Sequence, residues 1–599
     1  MSDLLVAAVA RALHPALPAD AGVSEDEAAG LLGAPPDPAL GDFTFPCFKL
    51  AKALRKAPPQ IAGELAAALA ETPGLLAGAV AKGPYVNLTL DLGRAAALVL
   101  PPIVRDEAPR PPPTGVRVMV EYSQPNTHKA FHVGHMRNLC LGDALVRLLR
   151  RAGDDVVAAN YLGDVGAHIA KCLWWYLDQS DKNPPADRRG EWLGELYAAA
   201  SIRLEECEER ARAGDADAAA ELARMRARTS DLLHRLEARE PDTTAVWRET
   251  RAWSLEEFDE IYRWCGVHFD RIFYESEVDE PGLRLVEEFL QKGVFVVSQG
   301  AVGVANEEIK HMPFFLLRKQ DGTSLYATKD LALARLKFEE YKIDRSIYVV
   351  DVRQSDHFRH VFLTLKKMGF AQAERCQHVP YEMVELPDGP MAGRKGNVVL
   401  FRSLRQQMTE HLRREYFHKF EGEWPAEEID AAVQAVALGA IKYGMLNRDV
   451  NQKIVFDLKA WLNLEGNTGP YLQYTYARAG SIVDKCAEVG QTFDPATAAG
   501  GAATLERLAA LREPQERELV LALARLPDVL AAAAAQLRPS LVCAYAHDLC
   551  KAFNRFNSAC RVKGSEPALL QARLLLVQAF ARSLREVLDV LGIVAPRRM

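Results

Sequence analysis

Between Val116 and Arg150 the chain turns from a strand into a helix across two histidines. Val116-Arg-Val-Met-Val120 is a short apolar run that reads as a buried strand. From Arg137 to Arg150, Leu139, Leu141, Leu145, Leu148 and Leu149 recur at helical spacing. His132-Val-Gly-His135 stands at the junction. In an open parallel sheet that junction is where ligands bind. The helix start is expected to offer unpaired backbone N–H groups and the positive end of a dipole, both suited to phosphate. His132 and His135 add side-chain N–H donors, Lys129 adds a mobile positive charge, and Gly134 lets a flat base approach the backbone. On these residues alone, a histidine-capped helix and a solvated loop lysine stay open.

A chain of 599 residues exceeds one ordinary core, so three or more domains are expected. Residues 1–107 read as a small α+β domain, with helical patterns at Leu4–Leu13 and Ile61–Leu69 and a strand at Val80–Leu90. The Pro-rich run Ala108–Thr114 reads as a linker. Residues 115–400 alternate strand-like runs (Val116–Val120, Val156–Ala159, Ile347–Val350) with helical stretches, which predicts a doubly wound, Rossmann-like α/β domain. Within it, residues 185–265 are rich in Glu, Arg and Ala and read as a helical insertion with solvated faces, not a catalytic element. Beyond residue 401 strand signals fade and the pattern predicts a helical bundle to 599.

The formal net charge of −7 does not exclude a nucleic-acid partner, because a local basic track suffices. Ten cysteines occur without a Cys-x-x-Cys pair, so a structural metal is not expected and a reducing, cytoplasmic compartment is. His357 and His360, with Asp351 and Asp356, match no metal-ligand spacing. No apolar run suggests a membrane span, and Met1-Ser-Asp-Leu-Leu5 does not resemble a secretory signal.

Extended by Glu121-Tyr-Ser-Gln-Pro-Asn126 and by Arg137-Asn138, the histidine turn resembles the nucleotide-binding signature of class I aminoacyl-tRNA synthetases, and among them the arginyl-tRNA synthetases. Similar strings continue along the chain: Gly41-Asp-Phe-Thr-Phe45, Gly83-Pro-Tyr-Val-Asn-Leu88, Asn160-Tyr-Leu-Gly-Asp-Val-Gly166, Ser324–Ala334, Val350–Phe358, Leu464–Tyr474 and Ala552–Phe556. The resemblance implies activation of L-arginine by ATP and transfer to tRNA(Arg), with Mg2+ carried by ATP; a monomer is expected, although the sequence itself does not give the oligomeric state. It implies that Glu121, Asn126, Tyr326, Asp330 and Gln354 bind arginine. A guanidinium is a rigid fork of donors, so carboxylates and planar acceptors suit it. Tyr326 and Asp330, four apart, share a face if a helix starts there. The other reading of Asp330 or Thr328 is a helix cap.

ATP is expected at His132, Gly134, His135 and Lys395, with Lys129 and Arg394 as further phosphate contacts. Arg394 and Lys395 lie in Leu386–Val399, which resembles the second class I signature but carries Pro390 and Ala392 where its first lysine and serine stand. Lys129, just upstream of the histidines, is the candidate to replace that lysine. Tyr85 and Asn87 resemble contacts to the tRNA elbow. Tyr471, Gln473, Tyr474 and Arg478 resemble an anticodon-reading face. The altered loop leaves one rival from another class, a catalytically impaired tRNA-binding paralogue.

Overall fold

In this computed structural model the described residues are 4–70, 74–108, 110–387, 389–390 and 399–599. The first unit is an antiparallel sheet of β1 (Phe43–Pro46), β2 (Leu76–Lys82) and β3 (Tyr85–Leu90), in the order β1-β3-β2. The single strand expected over Val80–Leu90 is a hairpin. Gly83 takes φ +59° at the turn, and Pro84 has no N–H to give a continuing ladder. The helix Pro58–Ala70 covers this sheet.

The second unit contains β4 (Arg117–Glu121), β5 (Asp155–Leu162) and β6 (Arg271–Tyr274). A small antiparallel sheet follows, made of β7 (Val296–Ser298), β8 (Ala301–Ala305) and β9 (Phe314–Arg318), and then β10 (Arg345–Asp351) and β11 (Cys376–Tyr381). The other five strands form one parallel sheet in the order β11-β10-β4-β5-β6. The chain starts in the middle, builds outward to β6, and returns to build β10 and β11 on the other side. This is the doubly wound arrangement, and its switch point lies between β4 and β10.

Side-chain alternation divides the sheet between two cores. Val118, Val120, Val156, Ala158, Ile347 and Val349 join the core that contains helix Val133–Arg151 and the C-terminal helices. Met119, Val157, Ala159, Tyr348 and Val350 join the core of helices Glu275–Gln291, Tyr326–Tyr341 and Ser355–Lys367. Both faces are covered, which explains why the strands read as nearly continuous apolar runs.

The insertion is three helices, Arg189–Arg212, Ala216–Glu237 and Pro241–Cys265. Its last helix is not simply a solvated element. Trp247, Thr250, Arg251, Ser254 and Tyr262 all bond to residues of the central domain. Strand β12 (Val384–Leu386) pairs with β13 (Gly389–Pro390), and the C-terminal third is helical, as expected, except for β14 (Ile454–Val455), which pairs with β12 in parallel. Helix Ala426–Leu446 is long and apolar enough to cross a membrane, but 78% of its apolar window is buried inside the protein. A helix enclosed on most sides is apolar for that reason.

The N-terminal unit is docked as well as tethered. Arg517 donates to Leu90 O and pairs with Asp42 at 2.6 Å. A Cβ on Gly93 would lie 2.9 Å from Ala509 Cα, so helix Leu92–Val104 meets the C-terminal chain backbone to backbone.

Candidate active site

Four strands bring their carboxyl ends to one place. Glu121 ends β4, Gly163 follows β5, Glu275 follows β6 and Gln354 follows β10. The loop after β4 holds three residues at positive φ: Ser123 (+78°), Gln124 (+48°) and His128 (+62°). Such conformations persist only where neighbours over-determine them. Here Ser123 N donates to Asn138 Oδ1 at 2.6 Å, and Asn138 Nδ2 donates to Val349 O at 2.9 Å. Gln124 N donates to Asn160 Oδ1. His128 Nε2 lies 2.8 Å from Thr250 Oγ1, and His128 N donates to Ser254 Oγ.

His132 is the N-cap of helix Val133–Arg151. Its Nδ1 accepts from Gly134 N at 3.1 Å, and His135 Nδ1 accepts from His132 N at 3.2 Å. The rings meet at a tilt, with centroids 3.9 Å apart. Burial, aided by the Lys129 charge, pushes His132 down to about 4. Burial and the His132 ring hold His135 well below its usual range. Both rings are therefore neutral near pH 7. With each Nδ1 accepting, each Nε2 carries the proton and is the available donor.

This geometry corrects one expectation. The first N–H groups of the helix are not open: Val133 N donates to Val399 O, Gly134 N to the His132 ring and His135 N to His132 O. Any phosphate contact here falls to the imidazole Nε2–H groups and nearby cations. Lys129 holds its ammonium 5.0 Å from the centre of the Tyr197 ring, on the first insertion helix.

At the strand ends a group of carboxylates gathers around the Tyr161 hydroxyl. Glu121 is buried, pairs with the fully buried Lys337 and accepts from Gln124 Nε2 at 2.8 Å. Asn126 sits against Gly163, where a Cβ would lie 2.1 Å from Asn126 Oδ1; only glycine leaves the amide room. Tyr326 opens helix Tyr326–Tyr341, so it and Asp330 are one turn apart, and Tyr326 is 58% exposed. Asp330 is not a cap. It accepts from His357 Nε2 at 2.5 Å, while Leu325 occupies the cap position. Thr328 donates instead to Leu317 O. Gln354 is exposed in the short turn after β10.

The sequence reading missed several residues here. Glu275 is buried, 3.4 Å from Lys329 Nζ. Burial, opposed by Lys329 and reinforced by Asp330, pushes it up to about 7. The Tyr161 hydroxyl is buried without a hydrogen-bond partner among the described residues. Burial and the charges of Asp330, Glu275, Glu121 and Asp164 raise it well above its ordinary range. Their signal was present as Asn160-Tyr161 and Tyr274-Glu275 at strand ends, but strand ends are legible only once the strands are. Asp164, in the Gly-Asp-x-Gly turn, is structural. It accepts from Ser276 N and Oγ and pairs with Arg251 at 2.9 Å.

Arg394 and Lys395 lie outside the described residues, as does most of their loop. Its anchors are described. After the loop, Val399 O accepts from Val133 N, and Phe401 N donates to Phe131 O. Before it, Glu382 O accepts from Arg137 Nη1 at 2.5 Å. Arg137 is buried and also reaches Asp449 O at 3.2 Å. The signature helix therefore holds both ends of the second loop. Among the described residues, no three His, Cys, Asp or Glu side chains cluster as metal ligands.

The residues expected at tRNA divide. Tyr85 is 40% exposed and meets Phe48 edge-on at 5.9 Å, with Lys49 over the Phe48 ring. Asn87, on the same face of β3, is buried in the central strand of its sheet and presents no edge to a base. On helix Gly469–Ala487, Arg478 donates to Tyr474 Oη and Asn554 Oδ1, and Asn554 donates to Tyr471 Oη. Gln473 is a correction. It is fully buried and donates to Ala435 O and Val594 O, so it clamps helices and does not read bases.

Three families match in chain order. Arginyl tRNA synthetase N terminal domain covers residues 3–90, tRNA synthetases class I (R), catalytic domain, covers 111–458, and DALR anticodon binding domain covers 472–599. The chain is 42% identical to the arginine–tRNA ligase of Bdellovibrio bacteriovorus, over 100% of this chain and 98% of that one. It is 33% identical to that of Phocaeicola vulgatus over 93% of this chain and 94% of the other. Thermus thermophilus arginyl-tRNA synthetase superposes with a TM-score of 0.75 at 28% identity, over 99% of both chains.

Proposed function

The chain belongs to the class I arginyl-tRNA synthetases and is an arginine–tRNA ligase, and we propose that it activates arginine in the carboxylate-lined pocket at the ends of β4, β5, β6 and β10. A carboxylate oxygen of arginine attacks the α-phosphorus of ATP, and the bond from that phosphorus to the pyrophosphate oxygen breaks. The 2′-hydroxyl of the terminal adenosine of tRNA(Arg) then attacks the arginyl carbonyl, and AMP leaves. Such chemistry depends on positioning and charge neutralisation.

The observation that carries this reading is the convergence of Glu121, Glu275 and Asp330 on the Tyr161 hydroxyl, at the strand ends from which the loop to the histidine turn departs. Asp330 and Tyr326 take the guanidinium, with Glu275 as a further acceptor. Glu121, Asn126 and Gln354 take the α-amino and carboxylate groups. His132 and His135 donate Nε2–H to the triphosphate, and Gly134 lies under the adenine. Lys129, Arg394 and Lys395 supply positive charge to the phosphates, with Lys129 in place of the lysine that Pro390 displaces. Magnesium travels with ATP and neutralises its phosphate oxygens. A lysine substrate would leave buried acceptors unpaired, so discrimination needs no editing step.

Residues 1–107 meet the tRNA elbow through Tyr85. The bundle from 401 reads the anticodon through Tyr471, Tyr474 and Arg478. We place the enzyme in the cytoplasm and read it as a monomer. The catalytic-domain family covers the altered phosphate loop, so nothing favours an impaired paralogue. The test is ATP–pyrophosphate exchange with arginine or lysine, with and without tRNA(Arg), on the native chain and on His135→Ala. Exchange is expected with arginine only, and the variant should lose turnover while keeping tRNA affinity. No arginine-dependent exchange with tRNA(Arg) present would end the assignment.

A further inference from the structure

Each carboxylate of the pocket has an internal partner, but the partners differ. Glu121 pairs with the Lys337 ammonium and Glu275 with the Lys329 ammonium. Asp330 is held by an imidazole, at 2.5 Å from His357 Nε2. The two lysines compensate the charge of their carboxylates. An imidazole N–H fixes the plane of a carboxylate by hydrogen bonding and leaves its other lone pairs open.

The His357 ring is itself placed by packing. It meets Phe315 of β9 at 5.7 Å and Phe358 of its own helix at 5.5 Å, both edge-on. A free aspartate rotates broadly about its last torsion. A guanidinium fork engages two acceptor directions in one plane, so such rotation costs affinity. The Nε2–H of His357 occupies one lone pair of Oδ2 and thereby sets the plane of the carboxylate.

We propose that His357 is a positioning residue for the substrate side chain, orienting Asp330 so that its remaining lone pairs meet a planar cation. This rests on the reading of Asp330 as the guanidinium acceptor. It gives His357 a role outside metal binding and outside direct contact with ATP.

The experiment measures exchange kinetics of the full chain with tRNA(Arg) for His357→Leu and His357→Gln. Leucine fills the space against Phe315 without a donor; glutamine returns an N–H near the Nε2 position. The leucine variant should raise KM for arginine about 10- to 100-fold, the effect of losing a hydrogen bond to a charged group. Its kcat and KM for ATP should stay within about threefold, and glutamine should restore KM for arginine to within about threefold of the native value. An unchanged KM for arginine in the leucine variant overturns the proposal. So does a glutamine variant no better than leucine, or a parallel loss of kcat and ATP affinity.

If the leucine variant does not fold, His357→Asn takes its place, because its amide stops short of Asp330. Arginine should then stabilise this variant against heat less than it stabilises the glutamine variant, and equal stabilisation overturns the proposal. Asp330→Asn separates the two levels. Retained arginine affinity there removes the pocket reading itself, whereas its loss with a normal His357→Leu removes only the positioning role.

Discussion

Two histidines act as neutral donors because burial denies them a charge, and the hydrogen bonds at the helix start decide which nitrogen keeps the proton. The motif was visible in the sequence; the tautomer was not, since it depends on two backbone N–H groups reaching the Nδ1 atoms. Glu275 behaves in the opposite sense. Raised to about 7, it holds a proton below neutrality. Its folded-state affinity for the proton exceeds the unfolded one, so the associated stability is present in acid and fades as pH rises toward 7. A guanidinium beside it favours the ionised form. Arginine binding should therefore release a proton below pH 7, and KM for arginine should rise by up to about tenfold per pH unit there. Glu275→Gln should flatten that profile; a native KM already flat from pH 8 to 6 would remove Glu275 from the contact. The place of Tyr274-Glu275 at a strand end was the only mark of this carboxylate in the sequence, because its burial and its neighbour Asp330 come from separate elements.

Elements were read from apolar spacing, and the misses occur where spacing is blind to partners. The single strand read over Val80–Leu90 proved to be the end of β2, a turn and β3, because the turn at Gly83-Pro84 interrupts a run that looked continuous. The insertion read as solvated because Glu, Arg and Ala dominate its first two helices. Its third carries Trp247, Thr250, Arg251, Ser254, Phe258 and Tyr262 at helical spacing, a signal that was available. The first insertion helix also touches the site: a Cβ on Gly194 would lie 2.5 Å from Ala130 N and 2.9 Å from its Cα. Backbone cannot yield as a flexible side chain does. Gly194→Ala should shift the loop that carries Lys129 and lower kcat/KM for ATP about tenfold or more. Circular dichroism should show the helices intact; unchanged kinetics would mean that the insertion does not position this loop.

At the scale of the molecule, the signature helix is the joint between domains. Arg137 gathers the carbonyls of Glu382 and Asp449, and the Asp449 carboxylate in turn accepts from Arg538 and Ser540. Two turns further along, Asp143 pairs with Lys442 of the bundle at 2.9 Å, both nearly inaccessible. The last turn of the chain closes over them: Gly592, at φ +67°, has no space for a Cβ, which would lie 2.4 Å from Lys442 Nζ. Lys442→Met should leave Asp143 buried with its charge incompletely compensated and cost about 3–5 kcal/mol of stability. Adding Asp143→Leu should return part of that loss. Denaturant unfolding would measure both, and a single variant as stable as the native chain would show that the pair carries no charge in the fold.

The local grammar of strand, turn and helix was determined by the sequence itself: the parallel sheet, the bundle, the histidine turn and the spacing of Tyr326 and Asp330 all follow from period and residue type. Short-range rules govern these features, so a string of neighbours contains them. Only the tertiary structure decided which polar residues face a ligand and which hold the protein together. Gln473, Asn87 and Asp164 carry the same chemistry as their exposed counterparts, and burial turned them into clamps. Glu275, Tyr161 and His357 enter the proposed site because distant segments converge at the ends of four strands. Desolvation and pairing are properties of that convergence, and no single stretch of chain contains them.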